Sequence, residues 1–203
     1  MKKVFLIIFT VVLLTSLYLV FNREENIKNY PSAGRDIIAF GDSLVEGVGA
    51  SSADLNFVSL LSKKIGKPII NLGVSGDTTA DGLKRLSELD DYKPKVVLLL
   101  LGGNDHLRKV PAETTFDNLG KIIENIQSRG AVVVLLGVRG SILTDRFKSE
   151  FEELQEKYKT AYVPNVLEGL FGNPKYMSDP LHPNDLGYAE IANRIYPVLL
   201  KVI

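Results

Sequence analysis

Short apolar runs alternate with amphipathic stretches from Asp36 to the end of this chain. Residues 37–40 form an apolar run closed by Gly41, and residues 67–72 a second one closed by Gly73. Residues 96–101, 131–136 and 160–163 supply three more. The run at 96–101 has no polar alternation, as expected of a strand covered on both faces in a parallel sheet. Between the runs, apolar residues recur at helical spacing. Leu55, Val58, Leu61 and Ile65 share one face over 55–65, and Leu83, Leu86 and Leu89 share another over 78–89. Residues 115–129 give a third amphipathic helix, ended by Gly130, and 146–158 a fourth. A last helix is expected to start at Pro183 and to bury Tyr188, Ile191, Ala192, Ile195 and Leu199, with Pro197 kinking or fraying its end. Five strands, each followed by a helix, predict an α/β fold: a three-layer α/β/α sandwich around a five-stranded parallel sheet.

The N-terminus follows another pattern. Lys2 and Lys3 precede residues 4–21, 18 residues without a charge. As a helix this run is about 27 Å long, close to a hydrocarbon core of roughly 30 Å. The apolar part of a secretory signal is shorter, about 7–15 residues, and small residues follow it. Here Tyr18-Leu19-Val20-Phe21 closes the run. Residues 1–22 therefore read as a transmembrane anchor or, if cleaved, a signal peptide. Residues 23–34, with Pro31, Ser32 and Gly34, read as a linker, and residues 35–203 as the folded domain. Lys2 and Lys3 favour a cytoplasmic N-terminus, which puts the domain in the cell envelope outside the cytoplasmic membrane; Arg23 and Lys28 weaken that asymmetry.

Composition narrows the chemistry. Lys+Arg and Asp+Glu are 24 each, so the formal net charge is zero. A nucleic-acid partner is not expected, since phosphate binding needs a basic face. The absence of cysteine excludes disulfides, zinc–thiolate sites and thiol nucleophiles. Only two histidines, His106 and His182, could serve as an imidazole base. No obligate protein partner is indicated.

In a parallel α/β sheet, reactive groups collect beyond the carboxyl ends of the strands. Small polar clusters stand at three such places: Gly41-Asp42-Ser43, Gly73-Val74-Ser75-Gly76-Asp77 and Gly102-Gly103-Asn104-Asp105. A hydroxyl nucleophile needs a base, the base an orienting acceptor, and the tetrahedral intermediate donors for its oxyanion. Ser43 is placed for attack, and Asp179-Pro180-Leu181-His182 offers a carboxylate and an imidazole together. Asn104 offers an amide donor, and Gly73 can bring a backbone N–H close.

At these residues the chain resembles the GDSL, or SGNH, hydrolases. Gly41-Asp42-Ser43-Leu44 looks like the first block of that family, and Gly73, within Asn71–Thr78, like the second. Gly102-Gly103-Asn104-Asp105 looks like the third, and Asp179-Pro180-Leu181-His182 like the fourth. The blocks occur in the family's order over about residues 36–200. The runs 75–78 and 102–108 are similar to the thioesterase I/arylesterase/lysophospholipase branch. The resemblance implies a flavodoxin-like SGNH hydrolase fold with Ser43 as nucleophile, His182 as general base and then acid, and Asp179 as its orienter. It implies an oxyanion hole made of the Ser43 and Gly73 N–H groups and the Asn104 side chain. It implies no metal or cofactor, and a small acyl ester, thioester or lipid as substrate.

Other readings carry less. The chain lacks the G-x-S-x-G elbow, because Val45 holds the last position. Gly47-Val48-Gly49 lacks the rest of a phosphate loop. His106 is the rival base, but is expected to line the entrance or to be exposed. Asp42 and Asp105 are expected to accept loop hydrogen bonds. Arg108 and Arg139 could meet an anionic head group. Leu107, Val110 and Ile142-Leu143 could form an acyl groove or simply pack the loops. Removal of O-acetyl groups from a cell-wall glycan is an alternative activity, and a catalytically dead ester-binding protein an alternative of another kind.

Overall fold

The first strand, β1 (Asp36–Gly41), is apolar on both sides because both sides are covered. The computed structural model describes residues 26–138 and 145–203. Four more strands follow: β2 (Ile69–Gly73), β3 (Pro94–Leu100), β4 (Val132–Leu136) and β5 (Ala161–Val163). All pair in parallel, in the order β2-β1-β3-β4-β5. Successive side chains of a strand point to opposite faces. Ile37, Ala39, Val96, Leu98, Leu100, Val132 and Val134 thus enter one apolar core, while Ile38, Phe40, Val97, Leu99, Val133 and Leu135 enter the other. This is the three-layer α/β/α sandwich expected from the sequence.

Seven α-helices are described: α1 (Ser43–Glu46), α2 (Phe57–Ile65), α3 (Thr79–Lys84), α4 (Gly103–Leu107), α5 (Ala112–Ser128), α6 (Asp145–Tyr158) and α7 (Asp185–Leu200). Helices α2 and α7 cover the first core, with Leu61, Tyr188, Ile191 and Ile195 fully buried. Helices α5 and α6 cover the second, through Leu119, Ile122, Ile126, Phe151 and Leu154.

Several boundaries differ from expectation for local reasons. The helix expected over 55–65 starts at Phe57, because the Asn56 side chain accepts the Ser59 N–H and caps it. The stretch 78–89 divides into α3, capped reciprocally by Thr78 and Asp81, and a 3-10 turn at Leu86–Asp91. The last helix starts at Asp185 rather than Pro183, because Asn184 accepts the N–H groups of Leu186 and Gly187. It continues through Pro197 to Leu200. Helices α1 and α4 are one turn each and fall in loops of the sequence reading.

The expected membrane helix and the first residues of the linker lie outside the described residues. Among the described residues no helix is long and apolar enough to cross a membrane. Of the linker, the part from Asn26 on lies against the domain: Asn29 Nδ2 donates to the carbonyls of Gln127 (2.8 Å) and Ala131 (3.0 Å).

Candidate active site

Strands β1 and β3 are neighbours although β2 lies between them in sequence, so their connections leave the sheet in opposite directions. The crevice at such a reversal, beyond the carboxyl ends, is where open α/β sheets bind ligands. Ser43 sits there, as the first residue of α1. The Asp42 side chain makes that turn possible by accepting the Leu44 N–H at 3.0 Å. As a first-turn donor, the Ser43 N–H has no intrahelical partner.

His182 reaches Ser43 from the loop before α7. Its Nε2 lies 3.1 Å from Ser43 Oγ, and its Nδ1 lies 2.8 Å from Asp179 Oδ2. A carboxylate can only accept, so Nδ1 carries the proton and Nε2 is left to accept from the serine. Asp179 Oδ1 also accepts the N–H groups of Leu181 (2.7 Å) and His182 (2.8 Å), which turns the loop back on itself. The Asp179 side chain is 45% exposed. Partial desolvation pushes its carboxyl up, but the Leu181 N–H, the His182 ring and the His182 N–H outweigh it and hold the carboxyl below its ordinary range.

Asn104, at the start of α4, donates one Nδ2 hydrogen to the Asp77 carbonyl at 2.9 Å. Its second hydrogen has no partner among the described residues. The structure thus joins Ser43, His182 and Asp179 by hydrogen bonds and sets Asn104 at the same carboxyl edge of the sheet.

Gly73 is a correction. Its N–H donates to Asn71 Oδ1 at 2.9 Å and is not available to an oxyanion. Gly73 closes on α1 instead, where a Cβ would overlap the Glu46 N–H. The other N–H groups of this loop can be followed one by one. Val74 donates to the Gly41 carbonyl, Ser75 to Glu46 Oε2 and Asp77 to the Val74 carbonyl. Gly76 remains, with a positive φ of 84°, as the loop N–H without a partner among the described residues. It neighbours Asp77, whose carbonyl binds Asn104. The sequence reading took Gly73 because it matches the family's second block and can bring a backbone N–H close. Gly76 lacks a Cβ as well, so the sequence did not separate the two glycines; the φ of 84° at Gly76 is one that glycine adopts without strain.

Carboxylates support the crevice from below. Asp105 is buried and accepts from both the N–H (2.8 Å) and the hydroxyl (2.6 Å) of Thr79. Asp77 pairs with Arg85, which also donates to the Gly41 carbonyl at 2.7 Å. Burial, with further repulsion from Asp77 and Asp105, pushes the Asp42 carboxyl up to about 7 despite the Leu44 N–H bond. Asp42 and Asp105 therefore accept loop hydrogen bonds, as expected. His106 packs edge-on against Phe147, with ring centroids 5.4 Å apart, and is not joined to Ser43. Arg108 donates to the Gly76 carbonyl at 2.7 Å. Leu107 is exposed and Val110 half-buried. Arg139 and Ile142-Leu143 lie outside the described residues. Among the described residues, no group of three or more acidic or histidine side chains is placed to hold a metal ion.

A parallel sheet with a serine, an imidazole and a carboxylate in sequence at its switch point defines the class of α/β serine hydrolases. Comparison with known proteins makes this specific: the chain matches the GDSL-like Lipase/Acylhydrolase family over residues 39–190 and belongs to that family. It is 34% identical over 180 residues to an arylesterase of Vibrio mimicus, covering 83% of this chain and 90% of that one. It is 30% identical over 162 residues to thioesterase 1/protease 1/lysophospholipase L1 of Escherichia coli, covering 75% of this chain and 77% of that one. A crystal structure of TesA superposes with a TM-score of 0.77 at 29% identity, over 83% of this chain and 100% of that one. The chain is an ester-hydrolysing enzyme of this family.

Proposed function

We propose that the chain hydrolyses small acyl esters and thioesters through an acyl-serine intermediate, with Ser43 as nucleophile. The observation that carries this reading is the chain of contacts Ser43 Oγ–His182 Nε2 (3.1 Å) and His182 Nδ1–Asp179 Oδ2 (2.8 Å). Ser43 Oγ attacks the acyl carbon as its proton passes to His182 Nε2. The Asp179 carboxylate stabilises the imidazolium so formed. The oxyanion is received by the Ser43 N–H, the free Asn104 Nδ2 hydrogen and the Gly76 N–H, which takes the place first assigned to Gly73. Collapse of the intermediate breaks the bond to the alcohol or thiol, which leaves with the proton from His182. Water then attacks the acyl-serine, His182 accepts its proton and returns it to Ser43 Oγ, and the acid departs.

Arylesters, thioesters and lysophospholipids are the substrate classes to compare, given the names its relatives carry. A fluorophosphonate probe should label Ser43, and a panel of p-nitrophenyl esters, lysophosphatidylcholine and acyl-CoA should rank the three classes. Absence of both labelling and turnover would overturn the assignment.

We further propose that residues 4–21 hold the enzyme to the cytoplasmic membrane with the domain on its outer side. The uncharged length of that run and the two lysines before it support this. Alkaline phosphatase fused after Gly34 should be active; an inactive fusion would reverse the orientation.

A further inference from the structure

The five strands run the same way, so the loops that precede them all lie on the edge opposite Ser43. The described chain begins on that amino edge and is fixed to it. The Lys28 N–H donates to the Lys159 carbonyl at 2.9 Å, Ser32 Oγ to the Gly130 carbonyl at 2.7 Å, and the Arg35 N–H to the Lys93 carbonyl at 2.9 Å. Only a few residues separate this docked segment from the apolar run 4–21.

The same edge is basic. Lys67, Lys93 and Lys159 stand just before β2, β3 and β5, and Lys28 is held beside Lys159. Helix α7 starts beside the catalytic loop and descends about 24 Å over its 16 residues, which brings Lys201 to this edge. All five lysines are exposed, and none is in an ion pair among the described residues. Of the acidic groups nearby, Asp36 is paired with Arg35 (3.5 Å), Asp90 with Arg129, and Glu124 accepts from the Tyr158 hydroxyl, so Glu124, Glu156 and Asp91 stand against the five lysines and Lys157. The chain as a whole is neutral, so this excess is a polarity of the molecule. Tyr30 and Leu200 are exposed among these lysines, while Val74, Leu107, Leu181 and Leu186 are exposed on the catalytic edge, so it is the lysines that distinguish the amino edge. Tyrosine beside lysine is the composition that settles at a bilayer–water interface.

We propose that the amino edge docks on an anionic lipid bilayer and holds the catalytic edge turned away from it. The proposal rests on the membrane reading above and sharpens it. Ser43 is separated from the docked edge by the length of β1, on the order of 20 Å. Ester substrates therefore reach it from the aqueous side, as soluble molecules or lipids already released, rather than from within the bilayer that holds the enzyme.

The test uses the full chain in vesicles of phosphatidylcholine, with or without phosphatidylglycerol. Lysines are acetylated with an amine-reactive ester and located by mass spectrometry. Each lysine near an anionic surface adds about 1 kcal/mol of attraction, so in anionic vesicles the edge should be mostly docked and labelling of Lys28, Lys67, Lys93, Lys159 and Lys201 should fall at least about five-fold. Lys109 and Lys175, on the catalytic edge, should label as in solution. High salt should restore labelling of the amino edge. Replacing Lys67, Lys93, Lys159 and Lys201 with Gln should abolish protection of Lys28 and leave p-nitrophenyl ester turnover unchanged. Equal labelling of the two edges, or protection of Lys109 and Lys175, would overturn the proposal. An alkaline carbonate wash separates it from the anchor reading. Retention in the membrane without lysine protection leaves the anchor and removes the docking face; protection followed by release does the reverse.

Discussion

Replacing Asp179 with Asn changes the charge beside His182 while keeping the shape of the loop. In the structure Asp179 Oδ1 accepts two backbone N–H groups, of Leu181 and His182, and Oδ2 accepts the ring Nδ1–H. An Asn keeps Oδ1 for the backbone and turns Nδ2 toward the imidazole. That amide can only donate, so Nδ1 must become an acceptor and the ring proton moves to Nε2. The Nε2–H then faces Ser43 Oγ and can no longer take its proton. In a buried serine-protease triad this exchange costs about 10⁴ in turnover. Here the carboxylate is 45% exposed, and water can compete for the ring. We therefore expect a smaller loss in kcat, about 10²–10³, with KM little changed. Asp179→Ala also leaves the two N–H groups without their acceptor, and should lower the melting temperature besides. The assay is steady-state hydrolysis of a short p-nitrophenyl ester, with fluorophosphonate labelling falling in parallel. A kcat for Asp179→Asn within about ten-fold of the parent, a barrier change of only about 1.4 kcal/mol, would refute this account of the imidazole.

Asn104→Ala should lower kcat by about 10²–10³ with a folded domain, since it removes one oxyanion donor and one tie to Asp77; near-parent turnover would remove Asn104 from the hole. His182→Ala should abolish turnover, whereas His106→Ala, which loses only an edge contact with Phe147, should retain it; the opposite result would exchange their roles. The buried Asp42 carboxyl ionises near pH 7 in the folded chain and near 3.8 when unfolded, so between these values only the unfolded state gives up its proton. Stability from this group is thus greatest at low pH and is lost as pH rises toward 7, by up to roughly 3 kcal/mol between pH 5 and 8. Asp42→Asn should flatten that slope in urea titrations, and an unchanged slope would contradict it. The depressed carboxyls of Asp81, Asp179 and Asp185 are ionised in both states across this window and add no slope.

The layer order and most of the site were legible because they rest on short-range patterns. An apolar run without alternation can be covered only on both sides, and β3 and β4 are covered so. Ser43, Asn104 and His182 were legible because each stands where a strand ends or a helix is about to begin. Gly73 was misread because sequence does not say where a backbone N–H is spent: the bond to Asn71 Oδ1 spans two residues, but its geometry depends on Asn71 also holding the Val45 carbonyl. The reach of Glu46, at the end of α1, to the Ser75 N–H crosses 29 residues of sequence, and no local pattern announces it. Helices α1 and α4 were missed because they are single turns set by caps and loop contacts rather than by an apolar face.

The placement of His182 explains why the start of α7 is so heavily tied. Ser43 and Asn104 follow strands whose pairing fixes them, but the loop carrying His182 has no strand beneath it. Its position over Ser43 depends on contacts with the chain just after α1. The buried Tyr188 hydroxyl donates to the Val48 carbonyl at 2.7 Å, and Asp185 accepts both the N–H and the hydroxyl of Ser51 at 2.7 Å. The His182 carbonyl is itself held by the Ser178 N–H and hydroxyl, at 2.9 and 3.0 Å. Each such bond contributes about 1 kcal/mol net, so none alone fixes the loop. Together they join the segment after the nucleophile to the segment after the base, and a shift of one moves the other with it. The 3.1 Å separation of Ser43 Oγ and His182 Nε2 can therefore persist although Asp179 stands in contact with solvent.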